Sequence, residues 1–307
     1  MVWCYICSMN VSAIIPLYNT PVEWTKEAID SIAHQVTDAQ LELIVVDDAS
    51  KRSLADPIRD YMRTLDIPTT YHRMSKNGGR SLALNAGSKI AQGDYIFLLD
   101  ADDRAHDSAI QKSIQTIEDN AAVFSDHTKF TQDLGTPIYT RKKESTLRLH
   151  GMYKGTVMDP LLHMCFVGHT QMINAEAYDE IGGFNPYFRR SQDFDFFLRL
   201  SELSEDVNLA HIPESLHDYR MHMSSVSNGS KWSSLPQEVV AQALIRRGES
   251  GIVLPGRKLK PYENTFFDIM QNGSLVKVPY IDYKTDTLIG SPAAEVEEPL
   301  KEVQYVA

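Results

Sequence analysis

Tyr95-Ile96-Phe97-Leu98-Leu99-Asp100-Ala101-Asp102-Asp103 is the stretch that decides how the chain is read. Five apolar residues run straight into three carboxylates within four positions. A short unbroken apolar run suits a strand buried on both faces, as in a parallel sheet. The carboxylates then emerge at the carboxyl end of the strand, where open α/β sheets place their ligand crevice. Side chains alternate along an extended backbone, so Asp100 and Asp102 project to one side. With no Lys near them, that pair is a natural seat for a hard divalent cation. The plainer alternative is a solvated acidic turn that caps the next helix.

The same grammar recurs on either side. Val11-Ser12-Ala13-Ile14-Ile15-Pro16 reads as a first strand ended by Pro16, with Leu17-Tyr18-Asn19-Thr20-Pro21 as the loop at its carboxyl end. A helix follows with Ala28, Ile29, Ile32 and Ala33 on one face. Residues 41–46 form a second strand that ends in Asp47 and Asp48, residues 56–65 look helical, and residues 69–73 look like a short strand. Lys76-Asn77-Gly78-Gly79-Arg80 is a glycine-bearing turn that opens a helix with Leu82, Ala86 and Ile90 on one side, stopping at Gly93. Ile110, Ile114 and Ile117 mark another helix, and residues 121–124 a strand ending at Ser125 and Asp126. Strand and helix alternate up to that point, which predicts a three-layer α/β domain around a mostly parallel sheet.

The pattern then changes. Residues 131–156 have no clear period and carry Arg141, Lys142, Lys143, Arg148 and Lys154, so they read as a surface excursion. Residues 167–174 contain a strand, Ile181-Gly182-Gly183-Phe184-Asn185-Pro186 is a turn, and residues 193–203 are a helix with Phe194, Phe197 and Leu198 inward. Short strands are expected at 209–212 and 216–220, and a helix at 237–247. Beyond Gly251 the chain reads as irregular, and residues 293–307 as a mobile acidic tail.

Composition narrows the classes. The chain has 307 residues, 43% of them hydrophobic and 23% charged, enough for an ordinary globular core. A net charge of −11 argues against duplex DNA or an anionic membrane as partner. No apolar run is long enough for a transmembrane segment, and the first nine residues do not read as a signal peptide; Met9 is a candidate start. There are three cysteines, few enough to suit a reducing cytoplasm, either free there or peripheral at the inner face of the membrane. Cys4 and Cys7 have the spacing of half a zinc site, but no second pair completes it.

In order, these motifs resemble an inverting family 2 glycosyltransferase of the GT-A fold. The matching segments are Ile14-Ile15-Pro16-Leu17-Tyr18-Asn19, Val45-Val46-Asp47-Asp48-Ala49-Ser50, Asn77-Gly78-Gly79-Arg80 with Asn85-Ala86-Gly87, and Gly93-Asp94-Tyr95 leading to Asp100-Ala101-Asp102-Asp103. Ile181-Gly182-Gly183-Phe184, Gln192-Asp193-Phe194-Asp195 with Arg199, and Tyr219-Arg220-Met221-His222 follow. The likeness covers residues 11–247. The second half is also similar to the transferase domains of chondroitin-type polymerases. The family usually has Glu before its catalytic Asp, and here that position is Gln192.

The resemblance implies a three-layer GT-A domain at 9–230, with a nucleotide-sugar half to about 126 and an acceptor half after it. A helical and irregular extension at 231–292 and the tail at 293–307 complete the chain. It implies transfer of a hexose or N-acetylhexosamine from a UDP-sugar, with manganese or magnesium, to the hydroxyl of a saccharide or glycoconjugate acceptor; no nucleic acid is implied. Asp102 would be the main metal ligand and His222 a third ligand, since imidazole suits manganese. Asp100 and Ala101 would contact the donor. Pro16, Tyr18 and Asn19 would lie by the base, Tyr18 stacking on uracil and Asp48 accepting its imide proton. Asn77 and Arg80, at a helix start, would favour the diphosphate. Asp193 would be the catalytic base, its pKa lowered by the helix dipole, and Asp195 with Arg199 a structural pair. Residues 131–156 and 182–190 would wall the acceptor pocket.

Each assignment has a plainer counterpart: helix caps at Asp47, Asp48 and Asp193, a capped turn at Asn77, a surface histidine at 222. Two other functions stay open, a sugar nucleotidylyltransferase and a non-catalytic nucleotide-sugar-binding module. The first would want a Gly- and Lys/Arg-rich loop after the first strand, and the second would be marked by loss of Asp102 or Asp193.

Overall fold

A computed structural model describes residues 9–143, 161, 165, 167–169, 171–188, 190–203, 209–222, 239–240, 242–243 and 246–247, with strands between 253 and 289. The elements run β1 (Asn10–Leu17), α1 (Val22–Ala33), β2 (Gln40–Asp47), α2 (Arg52–Met62), β3 (Thr69–Arg73), α3 (Arg80–Ile90), β4 (Tyr95–Leu98), β5 (Arg104–Ala105) and α4 (Ala109–Ile117). They continue as β6 (Ala122–Phe130), β7 (Pro137–Arg141), β8 (Gln171–Asn174), α5 (Ala175–Glu180), α6 (Gln192–Leu200) and β9 (Leu209–Arg220).

The unbroken apolar runs are explained by two cores, one on each face of the sheet. From β4 and the residue after it, Ile96 and Leu98 enter one core and Phe97 and Leu99 the other. β1 divides likewise, Ile14 against Val11, Ala13, Ile15 and Leu17. Each of the larger of these side chains, fully buried, stabilises the fold by about 1.5–3 kcal/mol. α3 lies close on β1: a Cβ at Gly87 would stand 2.6 Å from Ile14 Cγ2, so only glycine fits there.

The strand order is β3-β2-β1-β4-β8-β6-β9-β5, with β7 beside β6. The first four strands are parallel as expected. Beyond β4 the sheet is mixed, because β8 is antiparallel to both β4 and β6. The switch follows β4, where the carboxylates emerge.

Several local expectations change. Pro16 lies inside β1 rather than ending it; β4 pairs with β1 only as far as Ile14, so the missing N–H of Pro16 breaks no bond there. α3 buries Ser81, Ala83, Leu84, Ala86 and Gly87, while Ile90 is exposed. β6 continues through Asp126 to Phe130. The two short strands expected near its partner are one strand, β9; the register shifts beside Asp126, which accommodates Pro213 and Glu214. Part of the basic excursion is β7, on β6; residues 144–160, with Arg148 and Lys154, lie outside the described residues, as do Cys4, Cys7 and the acidic tail. Residues 239–240, 242–243 and 246 are helical.

Beyond Gly251 the chain forms strands where irregular structure was expected. Lys260–Tyr262, Phe266–Gln271, Ser274–Asp282 and Thr287–Ile289 pair antiparallel in sequence order. Gln271 opposes Ser274 at the end of that pairing.

Candidate functional site

The turn between β3 and α3 is held by Asp48. Its carboxylate accepts from Asn77 Nδ2 (2.9 Å), Gly78 N (2.6 Å) and Gly79 N (2.8 Å). Gly79 adopts φ +88°, a conformation that disfavours any side chain, as it hands the chain into α3. Asp48 is 2% exposed. Three donors on one buried carboxylate make Asp48 the anchor of the turn. Asn77 is the turn's side-chain donor to it. Asp47 is committed too, to Tyr71 (2.7 Å), Ser50 N (2.8 Å) and Arg73.

Arg80, the first residue of α3, reaches across the cleft. Its Nε donates to Asp100 at 2.7 Å and its Nη1 to Asp193 at 2.9 Å, with the guanidinium 5.7 Å from the Phe184 ring centroid. Burial acts to lower its pKa, but Asp100 and Asp193 outweigh this and hold it above the ordinary value. Its charge is shared by two carboxylates. In the carboxylate pair after β4, read as having no Lys near it, Asp100 has this arginine as its cation.

Asp193 is the second residue of α6 rather than its cap. The cap position is Ser191, at φ 55°, and it makes no side-chain capping bond. The expected lowering of the Asp193 pKa is reversed. Desolvation raises it, Arg80 pulls it down, Asp100 pushes it up, and the net shift is upward. A first-turn position favours the charged form, while burial and Asp100 favour the protonated one. Gln192, in the position usually Glu, accepts from Ser81 Oγ at 3.2 Å and so ties α6 to α3. Asp195 and Arg199 form the expected structural pair, at 2.8 and 2.9 Å and buried. Arg199 also donates to the Ile181 carbonyl at 2.9 Å.

Asp102 and His222, 120 residues apart, meet at 2.7 Å between Oδ2 and Nε2. Trp24 packs against the His222 ring (centroids 5.0 Å apart) and against Arg220, 4.9 Å from its centroid. Arg220 is buried and donates to the carbonyls of Asp102 (2.7 Å) and Gln132 and to the Glu27 carboxylate. It locks the end of β9, and with it His222, onto the turn after β4. Beside Trp24 is a cleft of about 470 Å³ lined by Thr131, Gln132, Asp133 and Thr136, from the segment expected to wall an acceptor pocket.

At the end of β1, Tyr18 is 52% exposed, the exposure a stacking platform needs. Asn19 takes φ 52°, donates its backbone N–H to Ser50 Oγ at 3.0 Å and accepts from Lys51 N at its Oδ1 (2.9 Å), so it fixes the loop after β2. The structure does not bring the side chains of Pro16 or Ala101 into the cleft: Pro16 is in β1, and Ala101 is buried in the core, leaving only its backbone.

Sequence reasoning missed a cluster on the far side of Asp102. Asp103 is buried, accepting from His217 Nε2 (2.9 Å) and Arg220 N (2.9 Å). Burial pushes Asp103 up to about 6, against the lowering effect of His217. His169 lies between His127 and His217, at ring-centroid distances of 4.6 and 5.3 Å. Burial, with the neighbouring positive groups, drives both His127 and His169 well below the ordinary histidine value. No spacing joins these residues in sequence; β6, the segment before β8, and β9 bring them together. Among the described residues no helix is long and apolar enough to cross a membrane.

Comparison with known proteins agrees with this architecture. A putative teichuronic acid biosynthesis glycosyltransferase, TuaG of Bacillus subtilis, is 28% identical over 231 residues, covering 73% of this chain and 83% of that one. An uncharacterised Sinorhizobium fredii protein, y4gI, is 27% identical over 237 residues, covering 76% of this chain. This chain spans only 25% of the length of y4gI. The solved structure of Staphylococcus aureus TarS 1–349 in complex with UDP-GlcNAc superposes with a TM-score of 0.59 at 16% identity, covering 77% of this chain and 67% of that one. That likeness supports the GT-A fold expected from the motifs. The family model described as glycosyl transferase family 2 matches residues 12–182, from β1 through α5. The chain belongs to glycosyl transferase family 2.

Proposed function

We propose that the chain is a metal-dependent, inverting glycosyltransferase that moves a hexose or N-acetylhexosamine from a UDP-sugar to an acceptor hydroxyl. The observation that carries this is the bridge Asp100–Arg80–Asp193, with Asp102 of the same turn paired to His222 from the end of β9. It ties a carboxylate of the acceptor half to the donor turn. The UDP-GlcNAc bound to TarS supports a UDP-sugar as donor.

The residues fit a divalent ion. Asp102 Oδ2 and His222 Nε2 converge within 2.7 Å, and a carboxylate with an imidazole suits manganese, with magnesium as the harder alternative. Two protein ligands leave the remaining positions to diphosphate oxygens and water. When bound, the ion supplies positive charge to the departing UDP.

The chain's own groups do the rest. Tyr18 stacks on the base. Trp24 and the Thr131–Thr136 cleft receive the acceptor. Asp193 takes the proton of the acceptor hydroxyl as its oxygen bonds to the anomeric carbon and the bond to the diphosphate breaks. The raised Asp193 pKa makes it a better proton acceptor than a free carboxylate. Arg80 keeps Asp193 oriented and, with Asp100, beside the donor. We assign the transferase domain to 9–230, the extension to 231–292 and a tail to 293–307, in a cytoplasmic setting that matches the sparse cysteines.

The test is UDP release from a panel of UDP-sugars with manganese, repeated with a chelator. One preferred donor, with activity lost on chelation, is expected. No UDP release and no UDP binding with any donor would overturn the reading.

A further inference from the structure

We propose that Asp103, His169 and His217 form a second metal site, separate from Asp102 and His222, that takes a borderline divalent ion such as zinc. Their ligand atoms lie within 4.8 Å of one another. Ligands at the ordinary zinc distances of about 2.0–2.2 Å stand roughly 3.3 Å apart across a tetrahedron, so small side-chain movements close the set. Asp103 Oδ2 and His217 Nε2 are already 2.9 Å apart.

The separation from the neighbouring pair follows from the backbone. Residues 100–103 form a turn closed by Asp103 N on the Asp100 carbonyl at 3.1 Å, and the two adjacent carboxylates leave it in different directions. Asp102 turns to His222, and Asp103 turns inward to His217. The two pairs therefore offer two different sites from adjacent residues.

Unsatisfied imidazole nitrogens border the three ligand side chains. Among the described residues, His217 Nδ1 and both ring nitrogens of His127 are buried without a hydrogen-bond partner. Such atoms are normally satisfied, and each exception calls for a reason such as an ion or a water. The rings of His169 and His217 stack at 5.3 Å, with His127 edge-on to His169 at 4.6 Å. Imidazoles packed this closely repel one another when protonated; as neutral rings they present lone pairs. Two imidazoles and one carboxylate are a donor set for zinc and its neighbours rather than for magnesium or calcium.

The site also has a way in. His169 is only partly buried, whereas Asp103 and His217 are closed off, so an ion would enter past His169 and keep an open position on that side. Its work would be mechanical. Asp103 follows the donor turn, His169 precedes β8, and His217 sits in β9 opposite Ala105. One ion would clamp the carboxylate turn to both strands of the acceptor half.

The full chain, stripped of metal, is titrated with cobalt(II) as a spectroscopic stand-in and with zinc against a chromophoric chelator. One equivalent of cobalt should give the intense visible band of a four- or five-coordinate site. Zinc should bind at least tenfold more weakly to His169→Ala and to Asp103→Asn, with folding checked by circular dichroism. A double variant, Asp102→Asn with His222→Gln, should keep the ion. Should a ligand variant fail to fold, the unmutated chain decides alone: only a faint octahedral spectrum, or no uptake below millimolar zinc, overturns the proposal. Undiminished uptake by His169→Ala overturns it too, as does loss of the ion in the double variant.

Discussion

Arg80→Gln takes away the cation that Asp100 and Asp193 share. In the native cleft the guanidinium donates to Asp100 at 2.7 Å and to Asp193 at 2.9 Å. Gln has neither the charge nor the reach to serve both. At an effective dielectric of 20, a charge pair ~4 Å apart is worth about 4 kcal/mol. The side chains here are 24% exposed at Arg80 and 36% at Asp193, and solvent screening cuts each pair to about 1 kcal/mol. Loss of both comes to ~1–2 kcal/mol, about tenfold in a rate or equilibrium constant. The direction is set by what remains around Asp193. Desolvation raises its proton affinity, Arg80 lowers it, and Asp100 raises it. Without Arg80 only the raising influences are left, so Asp193 keeps its proton to higher pH. A base works only when deprotonated, so the acidic limb of kcat/KM for UDP release should move to higher pH. On that limb the rate should fall about tenfold, while the alkaline plateau is largely kept. Adding Asp100→Asn should bring the limb partway back. Donor affinity measured by calorimetry separates this from lost binding. A limb that stays in place, or moves to lower pH, refutes the coupling between Arg80 and the base.

Asp193→Asn should lower turnover by ~10²–10⁴-fold with UDP affinity unchanged; near wild-type turnover would move the base elsewhere. Asp195→Asn should instead destabilise the fold by about 2–4 kcal/mol in denaturant titration, because it removes the negative charge paired with the buried Arg199; an unchanged midpoint would remove that role. Asp102→Ala should abolish manganese-dependent UDP binding with an intact circular dichroism spectrum, and His222→Ala should weaken it with partial recovery at high manganese; calorimetry showing wild-type metal dependence in both would cancel the assignment. Asp218 sets an acid limit: burial alone would raise its pKa, but hydrogen bonds from His106 and Arg104 more than offset that and lower it. Its stabilisation is present above the unfolded value near 3.8 and is lost as pH falls through the lower folded value. Asp218→Asn should therefore cost stability at neutral pH and flatten the acid-unfolding curve there, and an unchanged curve would contradict this.

The sequence determined what short-range physics encodes. Apolar runs of strand length, carboxylates at their ends and the glycine turn before Arg80 fixed the first four parallel strands and the ligand edge. The Asp195–Arg199 pair was legible because positions four apart on a helix face each other. The motifs in their order carried the family. What faces what across the cleft was decided only by tertiary structure. Arg80 meets Asp193 across 113 residues, and Asp102 meets His222 across 120. No periodicity links such partners; the insertion of antiparallel β8 and the long parallel pairing of β6 with β9 bring them together. Charge state was hidden for the same reason. A helix start suggests a lowered pKa at Asp193, but desolvation and Asp100 come from other elements and reverse it. Asp48 reads from sequence as a ligand or a cap, and the geometry of the turn, with three donors on one buried carboxylate, made it an anchor. The cluster of Asp103, His169 and His217 left no local trace at all, since each residue arrives on a separate element and only packing brings their side chains within reach of one ion.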